Sequence, residues 1–101
     1  MDIVKAIEAG ARLEAGAKEA KALAMNIAHH MHRVRNRSTI DMHIVYYKRE
    51  RLYGLITTLE RITLILRRDV DNIHAIVQAI DRSELMLQQA RRILDSFAGS
   101  D

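Results

Sequence analysis

The stretch Leu52-Tyr-Gly-Leu-Ile-Thr-Thr-Leu59-Glu-Arg-Ile-Thr-Leu-Ile-Leu66 carries a leucine at every seventh position. Extended in both directions, the same register collects Val45, Leu52, Leu59, Leu66, Ile73, Ile80, Leu87 and Leu94. A companion register three residues on reads Lys48, Leu55, Ile62, Asp69, Ile76, Ser83, Ala90 and Phe97. Two lines separated by three and four residues form the seam of helices that pack on other helices. Asp69 and Ser83 interrupt the seam. Ile56, Val70 and Val77, one position further on, widen the apolar face. A face broader than a two-stranded seam suits a bundle of three or four helices.

A single helix over residues 40–97 would have to be about 87 Å long. The rest of a 101-residue chain cannot cover such a rod. Either the helix breaks or a partner covers it. The sequence offers a break at Arg67-Arg68-Asp69-Val70-Asp71-Asn72, where Asp69 can cap a new helix with Asp71 and Asn72 in its first turn.

Upstream, small or apolar residues recur in steps of three and four from Ile3 through Ile7, Gly10, Leu13, Ala17, Ala20, Ala24, Ile27 and Met31 to Val34. This is a helical stripe whose middle is thin, and a thin face lets another helix approach closely. Gly10 and Gly16 each cost about 1 kcal/mol relative to alanine in a helix interior, which a close approach would justify. Arg35-Asn36-Arg37-Ser38-Thr39 is the best stop signal. Ser38 or Thr39 can cap the next helix, with Asp41 in its first turn. The expected fold is all-α: one domain over 1–101, with helices at about 2–34, 40–67 and 70–97. It forms either a three-helix bundle or a helical hairpin with one very long arm.

Composition agrees. Aromatics make up 4% of the chain, cysteine, proline and tryptophan are absent, and glycine occurs four times. Strands favour the aromatic and β-branched residues that are scarce here. Without cysteine there is no disulfide scaffold, thiol nucleophile or cysteine zinc site. No segment approaches the roughly 20 apolar residues of a membrane span. Met1-Asp2-Ile3-Val4-Lys5 lacks the start of a signal peptide. A soluble cytoplasmic protein is expected, with export by a route needing no cleaved signal left open.

Charge is uneven along the chain. Residues 1–28 are net zero, residues 29–68 are net +6 and residues 69–101 are net −3. The basic middle and acidic end can pair within one chain or between chains. Arg33, Arg35, Arg37, Lys48, Arg49 and Arg51 suggest nucleic acid at first sight. The net charge is only +3, and stacking aromatics between these cations are not expected. A solvated rim or a match to an acidic partner is therefore the favoured reading. His29, His30, His32 and His43 cluster without a nearby acid, so they are read as a helix end that complements its dipole, not as metal ligands. No catalytic triad, phosphate loop or carboxylate pair is apparent, and no cofactor is expected.

Two family resemblances add to this reading. Leu66-Arg-Arg-Asp69-Val-Asp-Asn72-Ile73-His-Ala-Ile76-Val-Gln-Ala-Ile80-Asp81 resembles the last helix of small helical proteins encoded beside LXG toxins. These relatives of the WXG-type secreted hairpins act as toxin partners in type VII secretion. The shared pattern is an aspartate, then Asn-Ile, then apolar spacing ending in an aspartate. Val77 stands where that family has phenylalanine, and no Trp-x-Gly turn is present. The resemblance implies a toxin-targeting role. The second resemblance, Arg49-Glu50-Arg51 with Gln88-Gln89-Ala90, is to the all-helical chorismate mutases. It implies an interlocked dimer with a cationic pocket that contains Arg49 or Arg51 and Gln88. The helix-one cations of that family fall on Ile3, Ala20 and Met31 in this chain.

The favoured function is binding, to a second copy or to another helical protein. Tyr47, Leu52, Tyr53, Leu59, Leu66, Ile73, Val77, Ile80, Asp81 and Leu87 are the candidate contact residues. Tyrosine is frequent at binding hot spots. The competing reading of the heptad residues is an internal core.

Overall fold

The computed structural model describes residues 2–33, 39–69 and 74–98. They form three helices: α1 (Ile3–Arg33), α2 (Thr39–Asp69) and α3 (His74–Ala98). The helices pack side by side into a bundle about 52 Å long and 17 Å across. Five of the six ends fall within a residue or two of the sequence expectation. The expected start of α3 at residue 70 and most of the two expected turns lie outside the described residues.

The chain runs up, down and up. Gly16 on α1 faces Leu59 on α2, and Asn26 faces Lys48, so α2 runs antiparallel to α1. Arg67 on α2 meets Asp81 and Glu84 on α3, and Glu60 meets Arg91, so α3 reverses again. Gly10 lies against Ile76 and Ala79, and Glu14 against Arg82, so α1 and α3 are parallel. The single long arm over 40–97 is thereby excluded: the two halves of the heptad register fold against each other.

The core follows the registers read from the sequence. Leu13, Ile27, Leu52, Ile56, Leu66, Ile76, Ile80 and Leu87 are buried, and each contributes about 1.5–3 kcal/mol by leaving water. The thin stripe of α1, with Ala17, Ala20 and Ala24 fully buried, permits a close approach. The α1–α3 pairing is accordingly the most extensive in the bundle. Small residues on α3 (Ala79, Ser83 and Ala90) accept it from the other side.

The two interruptions of the seam have different explanations. Ser83 is fully buried and hides its polarity by donating its hydroxyl to the Ala79 carbonyl at 2.7 Å. Thr63 does the same to the Leu59 carbonyl at 2.8 Å. Asp69 is the last described residue of α2 and is exposed; the α3 start that it was expected to cap lies outside the described residues. Arg67 and Arg68 in the last turn of α2 complement the helix dipole. Asp71 and Asn72 lie outside the described residues.

At the other end of the sequence, Asp2 caps α1. Its carboxylate accepts from the Val4 amide at 3.4 Å and its carbonyl from the Ala6 amide at 2.9 Å. Thr39 opens α2, with Asp41 two residues on.

Ion pairs tie the helices together within the chain. Arg67 forks onto Glu84, donating at 2.8 Å to each carboxylate oxygen, and also reaches Asp81 at 2.7 Å. Arg82 donates to Glu14 at 2.7 Å, and Arg91 pairs with Glu60. Of the two pairings open to the acidic end, the one within the chain is realised by Asp81 and Glu84. The hydrogen bonds to Arg82 hold the Glu14 carboxyl below its ordinary value. Those to Glu84 and Asp81 raise the Arg67 guanidinium, and the one to Glu60 raises Arg91.

Candidate interaction surface

A helix advances 100° per residue, so Tyr46 and Tyr53, seven apart, share one flank of α2, while Tyr47 sits on its outer side. None of the three enters the core. Tyr47 is 69% exposed, and Tyr46 and Tyr53 are each 55% exposed. Among the described residues the core is built from aliphatic side chains, alanine, and the two small hydroxyl residues. The tyrosines and Ile44, 42% exposed, thus give the first half of α2 an apolar, aromatic exterior.

Two grooves run beside it. On the α1 side, Leu23, His43, Ile44, Tyr47, Lys48 and Arg51 line a shallow, mostly apolar groove. The Lys48 ammonium is steadied there by donating to the Asn26 side-chain oxygen at 3.0 Å. On the α3 side, Tyr46, Arg49, Glu50, Tyr53, Leu94 and Asp95 line the other. The Arg49 guanidinium lies over the Tyr46 ring, 5.4 Å from its centre. Such stacking contributes about 0.5–1 kcal/mol at an exposed site. Cation and aromatic are therefore interleaved here, contrary to the sequence expectation. The signal was present in Tyr46-Tyr47-Lys48-Arg49, where a step of three places Tyr46 and Arg49 on one face.

The remaining candidate residues divide sharply. Leu52, Leu59, Leu66, Ile80 and Leu87 are all at most 5% exposed. In the closed bundle they are internal core, the competing reading of the heptad line, and none is presented to a partner. Val77 is half-buried, and Asp81 is exposed but bonded to Arg67. Ile73 lies outside the described residues. Tyr47 and Tyr53 remain at the surface. Leu23, His43 and Ile44 join them, and no heptad argument could single these out because they flank the seam instead of forming it.

The pocket that the mutase resemblance implies does not form within the chain. Arg51 belongs to the α1-side groove and Arg49 to the α3-side groove. Gln88 lines a third groove further along, with Glu60, Thr63, Leu64, Glu84 and Leu87. Glu60 and Arg49 are separated by about 16 Å of helix. Two of the residues beside Gln88 are carboxylates, which repel a dicarboxylate.

His30 is partly buried, and its Nε2 has no hydrogen-bond partner. Among the described residues, no group of three His, Cys, Asp or Glu side chains is arranged to hold a metal ion. Among the described residues, no helix is long and apolar enough to cross a membrane. No protein-family model matches the chain, and no curated protein or solved structure is significantly similar to it.

Proposed function

We propose that this chain is a non-enzymatic helical binding protein whose first half of α2 is its contact face. The observation that carries the reading is the position of the tyrosines. All three are at the surface, at one end of a bundle whose described core has no aromatic residue. Burying an aromatic ring is among the largest apolar gains open to a small domain. Leaving three outside is what a surface reserved for a partner requires, and tyrosine supplies contact area at little cost in rotamer freedom.

The partner is another helical protein. The heptad seam is occupied by the chain's own helices, so binding adds a helix from outside the bundle and does not complete its core. Targeting of an LXG-type toxin in type VII secretion is the specific form of this role, supported by the Asp69-to-Asp81 pattern. The test is co-purification with the helical N-terminal domain of a toxin encoded beside the chain. Association that is lost in a Tyr47→Ala, Tyr53→Ala double variant is the expected result. Failure of the unmodified pair to associate removes the toxin role.

A further inference from the structure

The grooves of the bundle differ in charge. The groove holding Gln88 includes Glu60 and Glu84. A second, between the start of α1 and the end of α2, includes Glu8 beside Lys5 and Arg12. The groove on the α3 side of the tyrosines includes Glu50 and Asp95. Among the described residues, the groove of Leu23, His43, Ile44, Tyr47, Lys48 and Arg51 contains no carboxylate. On the α1 side, Ala22 through Met31 include no acidic residue, and Glu19 one turn earlier is not among the residues that line the groove. On α2, Glu50 faces the opposite groove, and the Asp41 side chain lies outside the described residues.

We infer that this groove is a docking site for an acidic amphipathic helix of the partner. The inference rests on the binding role proposed above and names the chemistry of its partner. Leu23, Ile44 and the Tyr47 ring form an apolar floor along the seam of two antiparallel helices. A third helix laid along that seam places residues at i, i+3, i+4 and i+7 on the floor. Its flanking glutamates or aspartates then meet Lys48 and Arg51. Opposite charge across the rim speeds association and sets register, and like charge excludes basic helices. An apolar floor with two strong cations favours a helix over a nucleic acid strand, which needs a row of cations along its phosphates.

The test uses a labelled peptide with leucine at the seam positions of successive heptads and glutamate elsewhere. Matched peptides carry glutamine or lysine in place of glutamate. Fluorescence anisotropy measures affinity, and amide chemical-shift changes locate the site. The glutamate peptide is expected to bind, with shifts centred on Leu23, Ile44, Tyr47, Lys48 and Arg51. Its affinity should fall about tenfold or more with Arg51→Glu, and likewise with Lys48→Glu. Arg12→Glu, in the groove at the start of α1, should leave it unchanged. Raising ionic strength from about 0.05 to about 0.3 M should weaken it.

Equal binding of the three peptides, no binding of the glutamate peptide, or indifference to Arg51→Glu would each overturn the inference. So would equal binding of a single-stranded oligothymidylate to the same residues. Arg51→Ala guards against misfolding of the charge-reversed variant, and circular dichroism checks both. A toxin complex that forms normally with Arg51→Glu but fails with Tyr53→Ala would retain the binding role and eliminate this groove.

Discussion

Alanine at the three described glycines separates helix propensity from packing, because their surroundings differ. Each change should gain about 1 kcal/mol from propensity alone. At Gly54 a new Cβ meets nothing within 4 Å, so Gly54→Ala should show that gain undiminished. At Gly10 the Cβ would lie 3.8 Å from Ala79 Cβ and from Ile76 Cγ2, an ordinary contact. Gly10→Ala should therefore stabilise as well, although this glycine lies where α1 and α3 pack closely. At Gly16 the Cβ would lie 2.8 Å from Leu59 Cδ2 and 3.3 Å from Cδ1. The leucine methyl must retreat by about 1 Å to reach a normal separation. Leu59 is only 5% exposed, so it retreats into packed neighbours. Overpacking of that kind costs about 1–3 kcal/mol. The net effect of Gly16→Ala is then between no change and a loss of about 2 kcal/mol.

Thermal unfolding followed by circular dichroism reads the difference directly. For a domain of this size 1 kcal/mol moves Tm by about 4–8 °C. Gly54→Ala and Gly10→Ala should raise Tm; Gly16→Ala should leave it level or lower it. Leu59→Ala, which costs about 2–5 kcal/mol itself, removes the obstructing methyls. In that background Gly16→Ala should recover the propensity gain, a coupling of at least about 1 kcal/mol. A Gly16→Ala protein as stabilised as Gly54→Ala would refute the close approach of α1 to α2.

Leu52→Ala should cost about 2–5 kcal/mol in urea unfolding, whereas Tyr47→Ala should stay within about 0.5 kcal/mol; a large loss from Tyr47→Ala would place that ring in the core. Arg67→Ala should cost at most about 1 kcal/mol, since its partners are substantially exposed, and the loss should shrink when unfolding is repeated in molar salt. The Glu14 carboxyl titrates lower in the folded chain than in the unfolded one. Its stabilising contribution is thus present above the ordinary carboxylate value and disappears as pH falls through the lowered one. The Tm difference between the unmodified chain and Glu14→Gln should accordingly be positive near pH 7 and vanish in strong acid; a constant difference would mean that the Arg82 contact is not what lowers the carboxyl.

Periodicity made most of the fold legible. Local spacing marks which side of a helix is apolar, and here the seven-residue register located Leu52, Leu59, Leu66, Ile80 and Leu87 on one continuous stripe. It could not say what covers that stripe, because folding the chain back on itself and pairing two chains bury the same residues. Asp69 suits either a helix cap or an exposed helix end, and spacing alone does not choose between them. The partners of Glu14 and Arg67 were beyond reach for a similar reason. Arg82 is 68 residues from Glu14, and nothing local prefers it over other arginines. Whether the tyrosines turn into the core or away from it was also beyond reach, because an aromatic one step off the seam can turn either way.

A described core without aromatic side chains, with the tyrosines outside it, also has a spectroscopic consequence. The chain has no tryptophan, so its ultraviolet emission comes from Tyr46, Tyr47 and Tyr53. These rings are largely solvated in the folded chain and fully so in the unfolded one. Their emission should change little across a melt that abolishes the helical signal. A partner covering α2 would alter it at once, along with the weak near-ultraviolet dichroism of freely turning rings. Folding and docking thus occupy separate wavelength windows, and one unlabelled sample can be followed through both.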